Sequence, residues 1–164
     1  GGTYTGYYLK KFVNNISCKE PATYPHAWMI FRYGEILLNA AEAYNEAEGP
    51  AKAYSYINEV RARAGMPAYA DMSQSELRER IRNERRIELA FEDHRFWDVR
   101  RWKIADTTQR ELYGVKIEKQ ADGTFNFYKN LYETRNWRDC MYLYPIPQSE
   151  LYKNTNLNPQ NTGW

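Results

Sequence analysis

From Ile30 onward, apolar residues recur at steps of four and three: Tyr33, Leu37, Ala40, Tyr44 and Ala47. That spacing lines up one face of an α-helix. Gly49-Pro50 ends this helix and opens the next, because proline is tolerated at the first helical position. In the second helix Ala53, Ile57, Val60 and Ala64 form the stripe, and Gly65 followed by Pro67 stops it. Two helices of this length, Ala-rich where they meet and joined by a tight turn, predict a tetratricopeptide-like helical hairpin. One hairpin cannot bury both of its faces alone, so further helices must pack on it.

Ser73 with Glu76 three residues on predicts a capping box at the start of a third helix. Along it Leu77, Ile81, Glu84, Glu88 and Phe91 share one face, which sets two carboxylates on an otherwise apolar stripe. Burying them unpaired is costly, so arginines must reach them. Arg85, Arg86, Arg95, Arg100 and Arg101 are the candidates by proximity, and Asp98 stands at ion-pairing distance from Arg101 along a helix. A structural ion-pair network and a catalytic acid pair both fit this pattern; the burial logic favours the network. The helix is expected to break near Asp93-His94, with a second segment running through Trp102. Trp97 and Trp102 read as core.

Beyond Asp106 the period changes to two. Val115 and Ile117 alternate with Lys116 and Glu118, Asp122-Gly123 marks a turn, and Phe125 and Phe127 flank Asn126, which predicts a β-hairpin. Residues 141–146 read as a short extended segment stopped by Pro145 and Pro147, and the Asn-rich end as irregular. Residues 1–28 read as a strand or extended segment followed by a loop. The expected fold is mainly α: a helical hairpin plus further helices, one small β-hairpin and long irregular segments. A single domain over 1–164 is expected, helical over about 29–105 and irregular with the hairpin over about 106–164.

Composition narrows the chemistry. A content of 43% hydrophobic and 27% charged residues fits a globular chain, and a formal charge of +2 gives no global basic field for nucleic acid. Aromatics reach 16%, with 15 Tyr and 5 Trp, side chains that suit carbohydrate and protein surfaces alike. Cys18 and Cys140 stand far apart with no metal-ligand spacing; they read as one disulfide or as two core residues. His26 and His94 lie beside no nucleophile motif, so no catalytic residue, cofactor or metal site is expected. No apolar run is long enough to span a membrane, and the opening Gly1-Gly2 suggests a piece of a longer protein.

Four segments in order carry a family resemblance: RYGEILLNAAEAYNEA from Arg32, INEVRARAG from Ile57, ERRIELAFEDHRFWDVRRWK from Glu84, and YPIPQSEL from Tyr144 with NPQNTGW at the end. Together they resemble the C-terminal region of the SusD/RagB family, outer-membrane lipoproteins of Bacteroidetes that capture nutrients, usually glycans. The resemblance implies non-catalytic binding of an oligo- or polysaccharide at the cell surface, beside a SusC-like TonB-dependent transporter. Attachment to the membrane would run through a lipid anchor that this stretch does not contain. It also implies a scaffold role for Glu84, Glu88, Arg95, Asp98 and Arg101. Tyr113, Tyr128, Tyr132 and Trp137 lie where the family varies most, and they are the candidate sugar-stacking rings; closure over the core is the competing reading.

Overall fold

The computed structural model describes residues 9–12 and 29–164. The expected extended segment and loop before residue 29 fall outside the described residues except at 9–12, and Cys18 falls outside them as well. Two compact units are present, Lys10–Arg95 and Phe96–Trp164.

In the first unit α1 (Tyr33–Glu48), α2 (Pro50–Arg63) and α3 (Gln74–Glu88) pack around one apolar core. Pro50 opens α2 as expected, and the Ser73–Glu76 capping box opens α3. Leu38, Ala53, Ile57, Leu77 and Ile81 are sealed from solvent at the centre. The buried stripe of α1 differs from the expected one: Leu37, Leu38, Ala41 and Asn45 face inward, whereas Tyr33 and Ala47 are exposed. Apolar residues surround more than half of α1, so periodicity left its rotation undetermined, and packing on α2 and α3 selected the Leu-rich side.

α3 ends at Glu88, and residues 89–93 form a turn before α4 (His94–Arg101). The helix therefore stops earlier than the sequence suggested. Leu89 replaces Phe91 as the last core residue, and Phe91 is exposed. Phe91 and Asp93 both adopt positive φ, at 64° and 62°. Cations pin this turn. Lys11 Nζ donates to the carbonyls of Glu88 and Ala90, each at 2.8 Å, and pairs with Glu92. Arg32 Nη2 donates to the Glu88 carbonyl at 2.6 Å while its other nitrogens reach the carboxylates of Glu88 and Glu92. Carbonyls left without helical partners at the end of α3 are thus satisfied by side chains.

Burial alone would raise the Glu92 carboxyl, but hydrogen bonds from Arg32 and Lys11 more than offset it and hold it below its ordinary value of 4.5. A depressed folded-state value stabilises the fold above the unfolded value, and that stabilisation is lost as pH falls through the folded one. Glu92→Gln is therefore expected to lower stability at pH 7, with the gap to the parent closing as pH drops below 4.5. Urea titrations across pH 7 to about 3 measure the gap; one that stays constant with pH would contradict this origin.

The loop between α2 and α3 has no regular structure, yet it is fastened to α2 at three points. Tyr54 Oη donates to the Met72 carbonyl at 3.2 Å and accepts from its amide at 2.7 Å. Asn58 brackets Tyr69 in the same way, at 2.9 and 2.8 Å. Arg61 Nε donates to the Pro67 carbonyl at 2.7 Å, and its guanidinium lies 3.7 Å from the Tyr69 ring centroid.

The second unit holds α5 (Ala105–Thr108), an antiparallel hairpin of β1 (Glu111–Lys119) and β2 (Phe125–Thr134), and α6 (Gln148–Lys153). Gly123, at φ 87°, sits in the hairpin tip beside Asp122, whose carboxylate accepts from the amide and hydroxyl of Thr124. That is the turn the Asp-Gly pair predicts. α6 was not expected, and a one-turn 3-10 helix, Asp139–Tyr142, occupies the start of the segment read as extended. No helix among the described residues is long and apolar enough to cross a membrane.

Candidate functional site

α4 is eight residues long, and within it Asp98 and Val99 are the buried positions. One residue off that side, Trp97 is 57% exposed, which corrects the reading of it as core. Its ring stands edge-on to Phe96 at 5.0 Å and 6.2 Å from Tyr144, itself 62% exposed. Trp97 and Tyr144 border an open cleft of about 1040 Å³ in the second unit.

The far wall is the chain end folded back on residues 140–146. Gln160 pairs with Ile146 through both its amide atoms, accepting from N and donating to O at 2.8 Å each. Asn161 Nδ2 donates to the Tyr144 carbonyl at 2.7 Å, and Trp164 Nε1 to the carbonyls of Cys140 and Leu143 at 3.0 and 3.1 Å. Gly163 makes this return possible: its φ is +90°, and a Cβ there would come within 2.8 Å of the Cys140 Cβ. Cys140 has no disulfide partner among the described residues.

Charged groups line the floor. Arg101 Nε meets Asp98 Oδ1 at 2.9 Å, and Asp98 is only 3% exposed. Arg100 stacks 3.5 Å from the Phe96 ring centroid and donates to the Phe96 carbonyl. Asp106 accepts from the Tyr142 hydroxyl at 3.1 Å. Burial and this bond together push the Tyr142 hydroxyl up from its ordinary value. Lys103 follows the last turn of α4 at φ 51°, with its amide on the Arg100 carbonyl and the Ile104 amide reaching back to Val99. That is a Schellman end, whose left-handed position usually carries glycine. A lysine there costs about 1 kcal/mol of backbone strain.

Of the residues singled out in the sequence, Glu84 pairs with Arg61 at 2.7 Å, and Glu88 with Arg32 at 2.6 Å and Arg63 at 2.7 Å. Their partners come from elsewhere in the chain rather than from the adjacent run. Arg85 lies on Asn39 at 2.6 Å, and Arg95 is also engaged. Asp98 and Arg101 form the separate pair beneath the cleft.

The four candidate rings do not share a surface. Tyr113 pairs across the hairpin with Leu131, whereas Tyr128, opposite Lys116, projects from the other face, because alternate strand positions point opposite ways. Tyr132 falls at the register shift between Leu131 and Glu133 and has no cross-strand partner. Tyr113 donates to Glu111 and is covered by Lys129, whose Nζ is 3.7 Å from its ring centroid. Tyr132 is 82% exposed. Trp137 is half-buried, edge-on to Tyr142 at 5.1 Å and 5.3 Å from Arg100, behind the cleft wall. Trp97 and Tyr144 were missed as candidates because both sit in segments read as packed signature. Among the described residues no group of His, Cys, Asp and Glu is arranged to hold a metal ion.

The profile of the SusD family matches residues 1–164. The chain belongs to the SusD family. SusD-like protein P2 of Formosa agariphila is 40% identical over 143 residues, 81% of this chain and 25% of that protein. SusD-like protein P25 of the same organism is 35% identical over 134 residues, 77% of this chain and 22% of that one. A crystal structure of a SusD-like protein from Bacteroides fragilis NCTC 9343 matches with a TM-score of 0.72 at 42% identity, covering 84% of this chain and 26% of its own. The chain spans about a quarter of the length of the curated SusD relatives it matches.

Proposed function

We propose that this chain binds a glycan, without chemistry, in the cleft between α4 and the returning chain end. One observation carries the reading. Trp97 and Tyr144 expose flat rings 6.2 Å apart beside hydrogen-bonding side chains, the combination a pyranose ring requires. Membership of the SusD family supports nutrient capture as the setting. In the whole protein the chain would act as one domain of a surface lipoprotein of the outer membrane, working with a SusC-like TonB-dependent transporter. The proposal gives Glu84, Glu88, Arg95, Asp98 and Arg101 a scaffold role. It keeps Tyr113, Tyr128, Tyr132 and Trp137 as secondary ring contacts, of which Tyr132 is the most accessible.

Trp97→Ala is expected to weaken binding about 10- to 30-fold, the scale of one aromatic anchor at about 1.4–2 kcal/mol. The melting temperature should hardly move, since the ring is exposed. Calorimetric titration with soluble oligosaccharides, beside a thermal melt, checks both. Unfolding of the variant would return Trp97 to the core, and unchanged affinity would leave the chain a helical scaffold without a ligand of its own. A glycoside hydrolase needs two carboxyl groups facing one bond; incubation with polysaccharides is expected to release no reducing sugar.

A further inference from the structure

Five charged residues line the cleft: Arg100, Arg101, Lys103, Asp106 and Asp139. Three of them are already engaged. Arg101 neutralises the buried Asp98, Arg100 stacks on the Phe96 ring and gives one N–H to its carbonyl, and Asp106 receives the Tyr142 hydroxyl. The side chains of Lys103 and Asp139 have no partner among the described residues, one a cationic hydrogen-bond donor and the other an anionic acceptor.

Lys103 is also the residue held at positive φ where glycine fits better. A strained position that keeps a long cationic side chain at the rim of a cleft points to use of that side chain. Asp139 stands at the start of the 3-10 helix Asp139–Tyr142 and is exposed.

Resting on the glycan reading above, we propose that the cleft selects a neutral saccharide, with Lys103 donating to and Asp139 accepting from hydroxyl groups of the sugar. A hydroxyl is both donor and acceptor, so neighbouring hydroxyls satisfy both side chains at once. A uronate or sulfate ester would bring its own negative charge against Asp139 and Asp106. With Arg101 balanced by Asp98, the cations Arg100 and Lys103 stand against the anions Asp106 and Asp139, which leaves the cleft no net positive charge to hold an anion.

The test uses this chain with two oligosaccharide panels: neutral glucan, xylan, mannan and galactan fragments, and anionic oligogalacturonates and sulfated galactans. Titrations run at about 20 and 300 mM salt, a range that screens exposed charges strongly. The expected result is binding from the neutral panel, changed less than twofold by salt, and weakened at least tenfold by Trp97→Ala. Lys103→Gly should weaken it five- to twentyfold while raising the melting temperature, because glycine relieves the strained backbone. Asp139→Asn should weaken it while leaving the melt unchanged. Tight, salt-sensitive binding of the anionic panel that is lost in Trp97→Ala overturns the ligand class and leaves the cleft as the site. Lys103→Gly with undiminished affinity removes Lys103 from the contact set and overturns the proposal. No binding from either panel, or binding indifferent to Trp97→Ala, overturns the glycan reading of the cleft itself.

Discussion

Replacing Glu84 by alanine is expected to cost about 3–5 kcal/mol of folding stability, the range for breaking a buried ion pair from one side. The side chains of Glu84 and Arg61 are 9% and 7% exposed and meet at 2.7 Å. Removing the carboxylate strands a guanidinium that cannot move out, because it is also bonded to the Pro67 carbonyl and stacked on Tyr69. The effect should therefore spread to the loop between α2 and α3. Arg61→Met/Glu84→Met, which removes both charges and keeps volume, should lose clearly less than Glu84→Ala, since apolar replacement of a whole buried pair is often neutral. Urea denaturation of the parent, the single and the double variant measures this. A loss below about 1 kcal/mol for Glu84→Ala would falsify the enclosed-pair account.

Ile57→Ala is the second large effect. Ile57 is fully buried at the centre of the core shared by α1, α2 and α3. Truncation removes transfer energy and leaves a cavity in a site walled by three helices, at a cost of about 2–5 kcal/mol. Ile87→Ala, one residue before the end of α3 and exposed, should stay within about 0.5 kcal/mol. Denaturant midpoints with unchanged slope distinguish the two; equal losses at both positions would mean that the core has been misplaced.

Much of the helical architecture was legible because it is written in local terms. Gly49-Pro50, Gly65 and the Ser73–Glu76 box set boundaries that the chain obeys, and Asp122-Gly123 sets the hairpin tip. Periodicity also found Ile57, Val60, Leu77 and Ile81 as core. What spacing could not reveal is who reaches across the chain. Glu88 is met by Arg32 and Arg63, and Glu84 by Arg61, none of them in the arginine-rich run that drew attention. Arg61 lies outside the predicted stripe of Ala53, Ile57, Val60 and Ala64, yet it is buried. The cleft was hidden for a related reason. Trp97 lies beside buried Asp98 and Val99 on a helix of eight residues, too short for its exposed side to be read from periodicity. The hairpin rings were legible as a cluster in sequence, but the alternation of strand faces separates Tyr113 from Tyr128, and a register shift sets Tyr132 outside the pairing.

Tyr54, Asn58 and Arg61 fasten the loop between α2 and α3 almost wholly through backbone atoms: the carbonyl and amide of Met72, those of Tyr69, and the carbonyl of Pro67. Three hooks at successive turns of a rigid helix act as a ruler, because their separation is fixed by the helix pitch. The loop is thereby measured in residues rather than read for identity. Most of its side chains are free to drift, Tyr69 and Met72 excepted because both pack against the core, but a single insertion or deletion between Pro67 and Met72 would throw every hook after it out of step.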